Sequence, residues 1–478
     1  MRRAPAQYRL AAVTALASLG ACRTDALRVQ DIDVAAPQTV QDSSALPSLL
    51  AGAIGNFGFA YDGGGDLNQI SLSALLGDEF IDSDSFGTRI EVDRRSQQFE
   101  TNTSLNGAFY TIQQARAAAE FAADAFRKFS PTDVGLAESL NLGALTYVIL
   151  AENYCGAVPI SHEVSPGEFS YGVPLSTRRL LERAIEKADS AAAIVDTGTA
   201  ANALVQARVA RVAKARALLD LDQATAAAAA INGVAGVPTT FKYEYSHSEA
   251  TARQNNYTWF MVQGSGGRYS IPNLEGLNGL PFRAEGDTSL TTGTVRDPRV
   301  ANIRRAGRGG LGFDNATPAW WQLKYPADSS KVVIADGVEA RLIEAEALLR
   351  GGNSSGALAT LNALRSDAAL RTLRGYTRAL AALPAETTPA AQVNQLFKER
   401  AYWLFLTSHR LGDLRRLTRP TSAQGNDITG YGRAIETVYP TGDYHKGGTY
   451  GTDVNSPIPR AEGYNPSFNR AACDVAKP

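Results

Sequence analysis

Apolar residues that recur every third or fourth position, in blocks that come in pairs, constrain this chain more than any other feature. In 107–128, Ile112, Ala119, Ala123 and Phe126 keep that spacing. In 136–153, Leu136, Leu140, Ala144, Tyr147, Val148 and Ala151 do the same. Such spacing puts the residues on one face of a helix. Leu142, Leu145 and Ile149 fill the other side of the second block, so that helix is predicted to be buried nearly all round. Ser44 is placed to cap an earlier helix through Leu46, Leu49, Leu50, Ile54 and Phe57. Alanine-rich blocks follow over 175–196, 200–219 and 222–232. The clearest pair comes later. Val338, Leu342, Ala345, Leu348 and Leu349 form a stripe, Gly351-Gly352 ends it, and Ser354 or Ser355 caps a partner carrying Leu358, Leu361 and Leu364. A last long helix is predicted over 389–407, with Arg400 inside its apolar face; a guanidinium there needs an acidic partner, for which Asp413 is the candidate.

The predicted fold is therefore mostly α, built of tetratricopeptide-like helix pairs, although no strict period of about 34 residues is visible. Residues 46–232 form a first helical region and 336–478 a second with its tail. Between them, 233–335 is rich in Gly, Pro, Asn, Asp and aromatics, and reads as a loop-rich second lobe with a few short strands.

The N-terminus bears on the compartment. Arg2, Arg3 and Arg9 flank a short apolar run, Leu10–Leu19, which ends in Leu19-Gly20-Ala21-Cys22. The run is too short for a hydrocarbon core of about 30 Å, so 1–21 reads as a signal peptide. Small residues before a cysteine make a bacterial lipobox, with Cys22 the expected lipidation site and 22–45 a polar tether. No later run of about 18 apolar residues occurs, so the mature chain is expected to be soluble apart from its anchor. With 47 basic and 48 acidic residues, the net charge of −1 argues against a nucleic-acid partner. Beyond the inner membrane thiols oxidise, which makes Cys155 and Cys473 a candidate disulfide; two separate buried thiols are the alternative.

No His-Glu-x-x-His, Gly-x-Ser-x-Gly or Walker loop is present, and the four histidines are scattered, so neither a metal nor a cofactor is expected. Gly307-Arg-Gly309-Gly-Leu-Gly312 matches a dinucleotide fingerprint, but Phe313-Asp-Asn-Ala-Thr-Pro318 cannot promptly open the helix that such a site needs. The aromatic residues of the loop-rich lobe are the better guide. Trp259, Tyr269, Trp320, Trp321 and Tyr325 are candidate ligand contacts, with the lobe's own small core as the competing reading for each. Trp320 and Trp321, adjacent on an extended segment, would face opposite ways. Asp78 and Glu79 are further candidates, for polar contacts after an early helix; a helix terminus facing solvent is the other reading.

Taken in order, the segments resemble the SusD/RagB family over most of the mature chain. The lipobox is followed by Glu152-Asn-Tyr-Cys-Gly-Ala-Val-Pro-Ile160, Pro174-Leu-Ser-Thr177 and Asp297-Pro298-Arg299. Then come Glu339-Ala-Arg-Leu-Ile-Glu-Ala-Glu-Ala347, Leu361-Asn362-Ala-Leu-Arg365, Glu399-Arg400, Arg410 with Asp413-Leu414, Pro457-Ile-Pro-Arg-Ala-Glu462 and Asn465-Pro466. The chain departs at Trp403, where the family has an acidic residue, and at Thr407-Ser408, where it has Glu-Gly. The resemblance implies an alpha-alpha superhelix of four tetratricopeptide-like pairs and no catalysis. It also implies an outer-membrane lipoprotein facing the cell exterior, a lid that passes an oligomeric nutrient, glycan or peptide, to a SusC-like TonB-dependent transporter. The alternatives are a surface glycan-degrading enzyme, which needs two carboxylates roughly 5–10 Å apart across one cleft, and a helical-repeat assembly scaffold.

Overall fold

The structure, a computed structural model, describes residues 42–478 apart from 166–167, 196–197, 265, 289–295, 377 and 424–426. The signal segment, Cys22 and the tether as far as residue 41 lie outside the described residues.

Helix α1 (Leu46–Asp62) starts behind a tight turn, Ser43–Ala45. Asp42, not Ser44, is the cap of that turn, accepting from the Ser44 N–H at 2.8 Å, because the chain tightens before Pro47 can begin a regular helix. After α2 (Gln69–Leu76), β1 (Ile81–Asp82) and α3 (Gly87–Asp93), the helices α4 (Thr103–Phe129) and α5 (Val134–Asn153) form an antiparallel hairpin. Asn102 caps α4 through the Leu105 N–H and Asp133 caps α5 through the Gly135 N–H. By length and composition α5 is apolar enough to cross a membrane, yet its apolar window is 89% buried inside the protein, which makes it a core helix.

A small hairpin, β2 (His162–Ser165) with β3 (Glu168–Ser170), leads into α6 (Thr177–Val195), α7 (Ala201–Asp220) and α8 (Ala224–Ile231), each packed on its predecessor. The small side chains of α6 and α7, such as Ala184, Ala188, Ala210 and Ala213, are buried where these helices meet. The superhelix then skips the whole loop-rich stretch: α9 (Gly337–Arg350) packs directly on α8. The excursion is closed where it leaves and returns, since β4 (Lys242–Tyr245) pairs antiparallel with β8 (Val332–Asp336), Lys242 opposite Asp336. Inside it, β5 (Tyr269–Ser270) pairs with β1, and β6 (Asn302–Arg304) with β7 (Trp320–Gln322). The glycine-rich fingerprint is the hairpin connection between β6 and β7, with Gly307, Gly309 and Gly310 at positive φ; it holds a single tight turn, Arg308–Gly310, and runs on into β7 rather than into an α-helix.

Helix α10 (Ser354–Ser366) returns against α9. Gly352 takes φ +80° and ends α9 so tightly that the cap of α10 falls on Asn353, one residue before the expected serines; its side chain accepts from the Gly356 N–H at 2.9 Å. The last two helices are α11 (Pro389–Trp403) and α12 (Arg410–Thr418). Helix α11 stops at Trp403, short of residue 407, because Leu406 and Ser408 adopt positive φ. A left-handed residue other than glycine costs about 1–2 kcal/mol, so the reversal needs outside support. Glu79 accepts from the Leu406 N–H, Tyr325 and Tyr61 donate to the Leu406 and Thr407 carbonyls, and Ser408 Oγ donates to the Gln69 carbonyl. Thr407-Ser408 thus carries out with hydrogen bonds a turn for which glycine is the easier residue.

Paired charges tie the helices together. Arg400 and Arg416 both donate to Asp413, and Arg416 also meets Glu346. Arg216 grips Glu152 with two bonds, at 2.6 and 2.5 Å. In Asp297-Pro298-Arg299, Arg299 bridges Asp297 and Glu399, which fixes the loop-rich stretch to α11. Cys155, just past α5, is disulfide-bonded to Cys473 in the tail.

Candidate functional site

A cleft of about 760 Å³ opens where the loop-rich stretch meets the end of α3 and the C-terminal segment. Its size falls within the range of about 300–1,000 Å³ usual for small-ligand pockets. Ile81 and Asp84 come from β1 and the turn after it, and Ile90 from α3. The segment 272–276, Arg283, the turn 314–318 and, from the C-terminal segment, Asp443, His445, Lys446 and Tyr450 complete the lining. The pairing of β1 with β5 brings the first two groups of residues together. The turn at 314–318 is held by Asp314, which accepts from the Ala316 and Thr317 N–H groups and from the Thr317 hydroxyl.

The lining mixes apolar patches (Ile81, Ile90, Pro272, Leu274, Pro318) with hydrogen-bonding groups (Asn273, Arg283, Thr317, Lys446, Tyr450). That combination suits a ligand with apolar C–H faces and a dense fringe of hydroxyls. The carboxylates of Asp84 and Asp314 are already engaged. Asp84 lies in ion pairs with Arg89 and Arg268. Asp314 is 2.9 Å from Lys446 Nζ; burial pushes its carboxyl up, but its hydrogen bonds outweigh this and hold it below the usual range. Neither is a free nucleophile.

None of the seven residues singled out as ligand candidates lines this cleft. Tyr269 and Tyr325 are fully buried, Tyr269 against Phe80 and Tyr325 beneath the α11–α12 reversal. Trp259 is half-buried in the short turn Tyr257–Trp259, capped by Asn256. Trp320 and Trp321 are half-buried on β7. The Arg283 and Arg304 guanidiniums stack on the Trp320 ring, 4.2 and 5.3 Å from its centroid, and Arg305 lies 5.8 Å from that of Trp321. Arginine therefore takes part of the aromatic surface that the sequence offered either to a ligand or to the lobe's own core. Asp78 is not a helix terminus facing solvent: it is buried and paired with Arg410, 2.9 Å from Nε.

Glu79 is fully buried, and among the described residues its carboxylate accepts from the Leu406 N–H through Oε1 while Oε2 has no partner. Burial pushes it up to about 8, with the Leu406 N–H and Arg410 opposing, while burial and Arg374 push nearby Lys324 down to about 7. For an acid whose folded pKa lies above its unfolded value, the folded state binds more protons. The associated stability is present below about pH 4 and is lost as pH rises through the folded value. Glu79→Gln keeps an acceptor for Leu406 and removes the titration. Its denaturation midpoint at about pH 6 should lie within about 1 kcal/mol of the wild type, and its loss of stability between about pH 6 and 9 should be visibly shallower. An equally steep loss would show that Glu79 does not carry this dependence.

The residues that do line the cleft carried no sequence signal. They are single positions on separated segments, and only the backbone pairing brings them together.

No family model matches the chain, and no curated protein matches it. Solved structures do. A SusD-like carbohydrate binding protein from Bacteroides fragilis superposes with a TM-score of 0.62 at 15% identity, over 90% of this chain and 100% of that one. A SusD superfamily protein from Parabacteroides distasonis gives 0.59 at 13% identity, over 89% and 98%. NanU from B. fragilis gives 0.57 at 11% identity, over 90% and 96%. The chain has the SusD-like fold.

Proposed function

We propose that this protein is a non-enzymatic nutrient-binding lipoprotein, which captures a glycan in the cleft and presents it to a SusC-like TonB-dependent transporter. The observation that carries the reading is the cleft itself, where apolar patches lie beside polar side chains such as Asn273, Arg283 and Thr317, and where two of the lining carboxylates, Asp84 and Asp314, are engaged in ion pairs. It sits on a fold shared with proteins described as carbohydrate binding. In this reading Cys22 is acylated, the protein is held at the outer membrane facing the cell exterior, and the helical surface seats it on the barrel as a lid. Peptide is the second cargo class.

The test is a mild-detergent pull-down of the C-terminally tagged, full-length protein from the membranes of its native host, read by mass spectrometry. A TonB-dependent barrel recovered at about one copy per copy supports the lid reading. Recovery of the protein alone contradicts it. Hydrolysis of a glycan by the purified protein would favour the surface enzyme instead, and recovery of soluble assemblies without a barrel would favour the scaffold.

A further inference from the structure

At the edge of the cleft, two of its lining residues, Glu275 and His445, meet Asp93 in a second, more sharply defined constellation. Asp93 ends α3, Glu275 lies in the loop after β5, and His445 belongs to the C-terminal segment. One potential ligand atom from each lies within 4.8 Å of the others. Asp93 is 1% exposed and Glu275 7%, and in each one carboxylate oxygen, Asp93 Oδ1 and Glu275 Oε2, has no hydrogen-bond partner among the described residues. A buried carboxylate oxygen left without a donor is costly. The nearby cation does not relieve it, because Lys446 Nζ is bonded to Asp82 at 2.8 Å and to Asp314 at 2.9 Å. The other oxygens of the pair are held by neutral donors, the Tyr444 hydroxyl and the Asp82 N–H on Asp93 Oδ2, and the Tyr450 hydroxyl on Glu275 Oε1.

The imidazole is oriented to match. His445 Nε2 lies 2.8 Å from the Asp82 carbonyl, which can only accept, so Nε2 carries the proton. In the neutral ring this leaves the Nδ1 lone pair turned towards Asp93, 3.9 Å from its Oδ2. A lone pair facing a carboxylate is repulsive unless a proton or a metal cation lies between them.

We propose that Asp93, Glu275 and His445 bind a divalent transition-metal ion of the Zn2+ or Mn2+ class. Two carboxylates neutralise its charge, and an imidazole nitrogen selects such an ion over Ca2+ or Mg2+. The Nε2–H bond to the Asp82 carbonyl is the outer contact that fixes a metal-bound histidine in its tautomer and direction. With bonds of about 2.1 Å, a tetrahedral sphere has ligand–ligand edges of about 3.4 Å, so binding draws the three side chains slightly inward. Glu275 and His445 line the cleft while Asp93 closes the site from behind, so the remaining coordination position faces the cleft and whatever enters it.

The test uses the tag-free mature protein, stripped with a chelator, equilibrated with Zn2+ or Mn2+ at equal concentration, desalted and read by elemental mass spectrometry. About one equivalent of one of these metals is expected, with a rise in melting temperature. His445→Ala, at an exposed position, should fold normally and retain at least tenfold less metal; Glu275→Gln should do the same. Retention below a tenth of an equivalent by the wild type, or unchanged retention by His445→Ala, overturns the proposal. No cargo enters the measurement, so its failure leaves the glycan reading standing.

Discussion

Asp413→Ala is expected to lower global stability by about 3–5 kcal/mol, the range found when one partner of a buried ion pair is removed. Asp413 lies in the first turn of α12 and is 3% exposed. Burial alone would push its carboxyl up, but Arg400 and Arg416 outweigh this and hold it well below the usual range. Arg400 donates twice to it, both at 2.8 Å, and Arg416 once at 2.7 Å. Without Asp413 the two guanidiniums would share Glu346, which is 3.8 Å from Arg400 Nε, and Asp220, 3.3 Å from Arg416 Nε. The effect should appear as a lower midpoint in chemical denaturation. Asp124→Ala, which breaks a pair exposed on both sides, should change it by less than about 1 kcal/mol. Because the folded carboxyl is acidic, this contribution is present above about pH 4 and is lost as pH falls further. A loss near that of Asp124→Ala would mean that the cluster is not a structural element.

The second large effect is expected from the bridge between Cys155 and Cys473. Its sequence separation of 318 residues makes it a constraint on nearly the whole unfolded chain. Cys473→Ala, or reduction, should lower stability by about 2–5 kcal/mol. The tail holds other contacts: the Ser456 N–H donates to the Asn153 carbonyl, the Cys155 N–H to the Ser456 carbonyl, and the Val454 N–H to the Val475 carbonyl. The loss should therefore begin locally. Trypsin is expected to cut at Arg470 in the reduced protein before it cuts the helices. Equal resistance of the oxidised and reduced forms would contradict this.

The helical part of the fold was legible because burial imposes a period. A residue such as Leu342 or Ala345 has to recur on one face of α9 to be covered, and composition records that. Asp413 was legible as a partner for Arg400 because a charge inside an apolar stripe demands one. Arg416 and Glu346, which complete the cluster, left no comparable mark. The end of α11 was misjudged because Leu404 and Phe405 continue the apolar pattern into the reversal, where contacts from Glu79, Tyr325 and Tyr61 override propensity. For Tyr269 and Tyr325 the structure takes the core reading, for a related reason. A loop-rich stretch needs a core of its own, and Tyr269 and Tyr325 supply it. Asp93, Glu275 and His445 have no motif spacing, because three unrelated segments carry them.

The most direct test of cargo capture is native affinity electrophoresis of the mature protein through gels cast with plant, mucosal and microbial polysaccharides, beside Ala316→Trp. Ala316 is exposed on the cleft wall, so an indole there fills the cleft without disturbing the core. The account predicts that at least one polysaccharide retards the wild type and that Ala316→Trp runs as it does in a plain gel. Retardation that survives Ala316→Trp unchanged, or none with any polysaccharide in the panel, would contradict capture of glycan in this cleft.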